Sequence, residues 1–341
     1  MLVNDSNETT AFTTPNTLNA FTASSSGITI SSLLTSAATV AVVLIGIVVN
    51  SLGICVLIKT NKVVSHNARL FLICLNTADF LNCVNYGIVA PVTLALNLQE
   101  WPFPEWLCSA HTIVTNFTQA TSYYFVLSIA VDRYIAVVYP LRYEELFTQT
   151  RAHLLVAGIL TMSVAFEIGG KEYEYLADIG TCWLALRDRP TAIVHTSLVT
   201  VVAVIPFFAV IGMYMRIVMI ARRHSRVIAA QELSTQHHHH GDVAVENRRT
   251  KPDSKAIVTF FMITGVFGTA FIPYYATLFY VIDTLHWPAT WWIMVLRLQA
   301  VCNTWFNALV YYFRNKWFKE ELKQLLSCSG CRSHPGDVLR D

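Results

Sequence analysis

The sequence predicts an all-α membrane protein, a bundle of seven spanning helices followed by a short amphipathic eighth helix. Three observations carry that expectation. The 341-residue chain is 54% hydrophobic and only 13% charged, whereas soluble domains carry about a quarter charged residues. Its apolar residues gather into stretches near 31–58, 68–96, 107–138, 152–168, 193–221, 256–282 and 289–313, each at or near the roughly 17 to 25 residues a spanning helix requires. Lysine and arginine then fall almost wholly on one set of alternate connections.

That basic set comprises Lys59, Lys62, Arg133, Arg142, Arg151, Arg222, Arg223, Arg226, Arg248, Arg249, Lys251, Lys255, Arg314, Lys316, Lys319 and Lys323, against Lys171, Arg187 and Arg189 on the other side. Basic residues mark the cytosolic side, so the N-terminus is expected outside and, after seven spans, the C-terminus inside, as in a multi-pass plasma-membrane protein. The net charge of +2 reflects this bias and gives no support to a nucleic-acid partner. The expected organisation is a tail over 1–29, a bundle over 30–313, an amphipathic membrane-surface helix over 314–327 and a cytosolic tail over 328–341.

Residues 1–27 are polar and rich in Ser, Thr and Asn, without a secretory signal pattern, so the first span is expected to target the chain. Asn4-Asp5-Ser6 and Asn7-Glu8-Thr9 are glycosylation sequons there, while Asn116-Phe117-Thr118 lies inside a span and reads as a chance match. Cys55, Cys74, Cys83 and Cys302 lie in apolar segments and are expected to be small buried hydrophobes. Cys328 and Cys331 follow the amphipathic segment, a setting for palmitoylation.

Along the chain, Asn50 is a lone amide in the first span and needs a partner on another helix. Asp79 is a carboxylate near mid-membrane, which is a functional group by default, the alternative being a neutral hydrogen-bonded structural aspartate. The 25 residues from Cys108 to Arg133 in the third span cover roughly 37 Å, so one helix presents a thiol at one face and a guanidinium at the other. Cys182, in the polar loop after the fourth span, offers that thiol a disulfide partner on the oxidising face. Ser122 lies three turns before Arg133 on the same face and is placed to share a site with Asp79.

The fourth span is the weakest, cut short by Glu167 and Gly169-Gly170. Pro206 in the fifth span frees a carbonyl and kinks the helix, and Pro273 does the same in the sixth. Asp253 precedes Pro273 by 20 residues, about 30 Å, which puts it at the depth of Arg133. His237 to His240 form a run that suits a metal in principle, but in a polar loop it reads as composition. Asn303, Asn307 and Tyr311 recur every four residues on one face of the seventh span. After it, Trp317, Phe318, Leu322, Leu325 and Leu326 form an apolar stripe suited to lie against membrane lipids.

In this order, Asn50, Asp79, Trp101-Pro102-Phe103, Cys108, Ser122, Asp132-Arg133-Tyr134, Cys182, Pro206, Tyr214, Pro273, Asn307 and Tyr311 resemble the motifs of rhodopsin-like (class A) G protein-coupled receptors. The resemblance runs from Asn50 to the amphipathic helix and implies a heterotrimeric G protein as partner, with arrestin and receptor kinases behind it. It gives Arg133 the role of a latch held by Asp132 and Asp253, with Tyr134, Tyr214, Asn307 and Tyr311 as switch residues and Leu141 docking the G protein. It also implies a sodium ion as allosteric modulator held by Asp79, Ser122, Asn303 and Asn307, which suits hard oxygen ligands around one negative charge.

Three departures touch this pattern. The fourth span lacks the usual tryptophan, the helix-six Cys-Trp-x-Pro reads Ala270-Phe271-Ile272-Pro273, and Ala308 replaces the proline of Asn-Pro-x-x-Tyr. Ala308 restores a backbone donor and is expected to straighten the seventh helix. Thr115 stands where amine receptors carry aspartate, and residues 289–313 hold no lysine for a retinal Schiff base. The expected outer-half pocket is His111, Thr115, Asn116, Gln119, His195, Phe271, Tyr274, Tyr275, Trp291 and Arg297, open to a small molecule, lipid or peptide. Arg297 suits an acidic ligand group, or else an internal pair with Asp283, Glu167 or a loop carboxylate.

The expected function is therefore a ligand-gated activator of G proteins, with a signalling-poor binding receptor or heterodimer partner as the alternative. No inverted half-repeat of a transporter and no spaced catalytic set of an enzyme is visible.

Overall fold

The computed structural model describes residues 30–59, 65–96, 100–167, 173–176, 181–185, 188–236, 268, 272–284, 290–314 and 316–327. Three long helices open the chain, α1 (Ile30–Lys59), α2 (His66–Ala95) and α3 (Glu105–Val138). A 3₁₀ turn over Pro140–Arg142 leads into the four-residue α4 (Tyr143–Leu146), and α5 (Gln149–Ala165) follows. A hairpin of β1 (Tyr173–Leu176) and β2 (Thr181–Leu184) precedes α6 (Arg189–Val199) and α7 (Ile205–Gln236). The rest is α8 (272–284), α9 (Thr290–Arg314) and α10 (Lys316–Ser327).

Among the described residues, four stretches are long and apolar enough to cross a membrane: α1, α2, α3 and the continuous α6–α7 segment over Arg189–Arg223. The fourth expected span is the 17-residue α5, short as its flanking Glu167 and glycines suggest. The sixth is described only at 268 and over 272–284.

Side-chain caps set several helix starts. Ser65 accepts the Ala68 N–H ahead of α2, Thr148 the Arg151 N–H ahead of α5, and Asp188 the Thr191 N–H ahead of α6. In the fifth span the interruption falls before Pro206 rather than as a simple kink at it. Residues Thr200–Val204 form a π segment in which the Ile205 N–H reaches the Thr200 carbonyl, one extra residue being looped into the turn ahead of the ring that cannot donate. By contrast α9 runs unbroken past Ala308, in line with its restored backbone donor.

Helices α1 and α2 approach closely because glycine leaves room. A Cβ on Gly53 would stand 2.7 Å from Asn76 Nδ2, and one on Gly46 would collide with Cys83 Sγ. The apolar core runs from Leu57, Phe71 and Leu75 to Phe125 and Ile129 and on to Ile217, joining α1, α2, α3 and α7. On α10, Phe318 is buried while Glu320 and Lys323 are exposed, the amphipathic division its sequence predicts.

The disulfide between Cys108 and Cys182 is formed, with Cα atoms 5.4 Å apart, and ties the hairpin to α3. Tyr175 pairs with Cys182 across the strands, an element the sequence reading treats only as loop. Asn4, Asn7, His237 to His240, Asp253, Phe271, Cys328 and Cys331 lie outside the described residues. Trp291, Arg297 and Tyr311 fall on α9, with their side chains outside the described set.

Candidate functional site

Three polar clusters lie along α3. The middle one is built on Asp79, which is buried on α2. Ser122 Oγ donates to its Oδ1 at 2.9 Å and Asn307 Nδ2 to its Oδ2 at 3.1 Å, so one carboxylate joins α2, α3 and α9. Asn303, one turn before Asn307, is buried with its Oδ1 unpartnered among the described residues. Nearby, Asn50 donates to the Gly46 carbonyl at 2.9 Å and to the Thr304 carbonyl at 3.3 Å, which supplies the second-helix partner its lone amide requires.

At the Arg133 end, Asp132 is fully buried and pairs with Arg133 at 2.8 Å. Two further groups close this pair. Tyr143 donates its hydroxyl to Asp132 Oδ1 at 2.6 Å, and Arg133 Nη2 donates to Ser65 Oγ at 3.1 Å. Ser65 thereby links the start of α2 to the guanidinium while also capping that helix. Burial, then the hydrogen bond to Asp132, raises the Tyr143 hydroxyl above its ordinary pKa, so it stays protonated and donates.

A cavity of about 400 Å³ opens beside Ser65, Asp132, Arg133, Tyr143 and Phe147. Leu141 stands almost wholly exposed next to it, at 99%. Tyr214 is buried in the core cluster, and Tyr134 packs against that cluster. Sequence reasoning missed Ser65 and Tyr143. Ser65 carries a local signal, a serine directly before a helix, but nothing local places it against Arg133.

At the Cys108 end the expected pocket residues divide into two groups. Asn85 on α2 donates to the His111 carbonyl and to Thr115 Oγ1, both at 2.9 Å, and Thr115 donates back to the His111 carbonyl at 2.9 Å. His111 and Thr115 are both buried, and the His111 ring meets Tyr86 edge to face at 5.6 Å. Asn116 donates to Glu167 Oε2 at 3.3 Å, and Tyr173 on β1 donates to the same oxygen at 3.2 Å. Burial and the Glu167 carboxylate raise the pKa of Tyr173.

The second group faces α8. His195 Nε2 lies 3.4 Å from the Tyr274 hydroxyl, and Thr200 Oγ1, in the π segment, lies 2.6 Å from the Tyr275 hydroxyl. Trp183 of the hairpin packs edge to face on Tyr274 at 6.2 Å, and Trp292 donates to Thr277 Oγ1 at 2.8 Å. Gln119 is half-buried on α3. Asn85, Glu167, Tyr173 and Trp183 join this end through tertiary contacts that no linear spacing announces.

The chain thus has a braced charged pair at one end of α3, a disulfide-tethered hairpin at the other, and a buried carboxylate between them. Residues 49–311 match the sequence model of the 7 transmembrane receptor (rhodopsin family). Galanin receptor 2b of Danio rerio is 25% identical over 291 residues, covering 84% of this chain and 72% of that protein. The QRFP-like peptide receptor of Branchiostoma floridae is 26% identical over 303 residues, covering 83% and 75%. Putative trace amine-associated receptor 3 of Homo sapiens is 25% identical over 293 residues, covering 79% of each. The chain belongs to the rhodopsin family of seven-transmembrane receptors and is a G protein-coupled receptor, not an enzyme.

Proposed function

We propose that this receptor sits in the plasma membrane with its N-terminus outside, binds an extracellular ligand at the Cys108 end and activates a heterotrimeric G protein at the Arg133 end. The observation that carries this reading is the closed Asp132–Arg133 pair, braced by Ser65 and Tyr143 beside the exposed Leu141. A charged pair with removable braces is a two-state element, and a ligand biases it by its differential affinity for the two states. The one-sided distribution of basic residues supports the orientation. Arrestin and receptor kinases are the expected partners of the released state.

Ligand chemistry follows from the Cys108 end. Thr115 offers no carboxylate to a protonated amine, and its hydroxyl is engaged by Asn85 and the His111 carbonyl. This favours a peptide or another non-amine ligand, in keeping with the galanin and QRFP-like relatives. Arg297, in the sequence of α9, offers a cation for an acidic group or a peptide carboxylate, the alternative being an internal pair with a carboxylate. His195, Tyr274 and Tyr275 supply polar groups at this end, and Phe271 and Trp291 are the aromatic residues that the sequence offers to the same pocket.

Sodium is the expected allosteric ion, and the residues fit it. Asp79 is a buried carboxylate, Ser122 Oγ touches it, Asn307 reaches its other oxygen, and Asn303 Oδ1 is a buried acceptor without a partner among the described residues. Bound there, the ion supplies positive charge that neutralises Asp79 and favours the resting arrangement.

A second reading, a binding receptor that signals poorly, is favoured by Ala308 and Phe271, which depart from the proline and tryptophan of the family's motifs. Nucleotide exchange on a panel of G proteins, measured across a screen of small acids, lipids and short peptides, separates the two. Ligand-stimulated exchange that is lost in Arg297→Ala at unchanged surface expression supports the first. Specific binding with no exchange on any G protein supports the second.

A further inference from the structure

Tyr143 begins a four-residue helix, Tyr-Glu-Glu-Leu, whose two glutamates are exposed. Its hydroxyl lies 2.6 Å from Asp132 Oδ1, and the other oxygen of that carboxylate holds Arg133 at 2.8 Å. The about 400 Å³ cavity beside it is walled by Ser65, His66, Arg133, Ala136, Glu144 and Gln149. A hydroxyl on a short helix, followed by two exposed acids, suits the basic substrate cleft of a tyrosine kinase by charge.

We propose that Tyr143 is a phosphorylation site whose phosphate draws Arg133 away from Asp132 and so releases the latch. Cytosolic placement of the Arg133 end, proposed above, is the premise, because ATP and tyrosine kinases are found there. In the transfer, Tyr143 Oη forms a bond to the γ-phosphorus of ATP as the β,γ-bridging bond breaks. ADP leaves, and the phenolic proton passes to the kinase's base. Tyr143 Oη then has no hydrogen to donate to Asp132.

The new group carries about −1.5 to −2 charges and stands against a buried carboxylate, so Tyr143 and Asp132 change from bonded to repelling. Arg133 is the guanidinium on the cavity wall and makes stronger, bidentate bonds to a phosphate. Arg142 is engaged with Glu145 at 3.2 Å, and Arg151 with the Glu145 and Leu146 carbonyls. Glu144 also lines the cavity and opposes the phosphate, but it is exposed and can turn to solvent. Because the hydroxyl is tied to Asp132 at rest, a kinase takes it only when α4 lets go. Phosphorylation therefore captures the released state.

The test uses the full-length receptor in nanodiscs with ATP and a purified tyrosine kinase that prefers acidic residues after its target. Phosphate is expected on Tyr143 by mass spectrometry, roughly tenfold faster in Asp132→Asn, where the charged acceptor is gone. By phosphorus NMR the phosphotyrosine is expected to titrate about one unit lower in the wild type than in Arg133→Gln, and Tyr143→Phe should lack the resonance. No phosphate at Tyr143, equal rates in the two receptors, or the same titration without Arg133 would overturn the proposal. These readouts need no G protein and expose both faces, so they stand apart from coupling and from orientation. Orientation is tested separately, by a C-terminal epitope tag probed on intact cells.

Discussion

Asn307 reaches Asp79 across 228 residues of sequence, its amide donating to the carboxylate at 3.1 Å. With Ser122 on the other oxygen, this bond makes Asp79 the point where α2, α3 and α9 meet. Asp79→Asn keeps the shape and removes the charge that a sodium ion needs. Ligand affinity of the variant should no longer respond to sodium at concentrations that shift the wild type, and an unchanged sodium response would remove Asp79 from the ion site.

Ser65 carries two duties, capping α2 and accepting from Arg133 at 3.1 Å. Ser65→Ala deletes a hydrogen bond to a charged group, and because Arg133 is partly exposed the loss is discounted to about 1 kcal/mol. Basal nucleotide exchange should rise roughly fivefold, the factor that energy allows. Ser65→Asn keeps a capping oxygen and should retain most of the helix stability. A basal rate that stays at the wild-type level in both variants would confine Ser65 to capping.

The family resemblance implies a second hold on Arg133 from Asp253, 20 residues before Pro273 in the sequence. Asp253→Ala should raise basal signalling on its own, and combining it with Ser65→Ala should raise it further. A fall in basal activity at unchanged surface expression would argue against the clamp.

Gly46 faces Cys83 with no room for a methyl group between them. Gly46→Ala should therefore cost about 1 to 3 kcal/mol through overpacking, read as a lower midpoint for thermal inactivation of the solubilised receptor. Adding Cys83→Ala removes the obstructing sulfur and should recover most of the loss. Failure of the double variant to recover would mean that the α1–α2 approach is not limited at this contact.

Much of the fold is legible in the sequence because membrane insertion imposes long apolar runs with polar punctuation. The Cys108–Cys182 disulfide is legible because Cys182 is a thiol in a polar loop on the oxidising face, the approach of Ser122 to Asp79 because polar groups in hydrocarbon have few other partners, and the part of Asn307 through the family resemblance. Ser65 and Tyr143 are less legible because their partners lie 68 and 11 residues away, across connections whose paths depend on tertiary packing. The π segment over Thr200–Val204 is likewise hidden. Its run Thr-Val-Val-Ala-Val reads as ordinary apolar helix, and only the proline at 206 hints that a hydrogen bond is missing. The hairpin over Tyr173–Leu184 is obscured by a loop whose charged residues give no clean alternation.

The central claim is that the pair at the end of α3 governs nucleotide exchange, and it can be measured without knowing the ligand. Purified receptor, Asp132→Asn and Arg133→Gln are each reconstituted with a panel of Gα subunits, and basal guanine-nucleotide exchange is timed. Asp132→Asn should exchange faster than wild type on at least one Gα, and Arg133→Gln should lose receptor-dependent exchange on that same subunit. Identical rates for all three receptors on every subunit would contradict the claim.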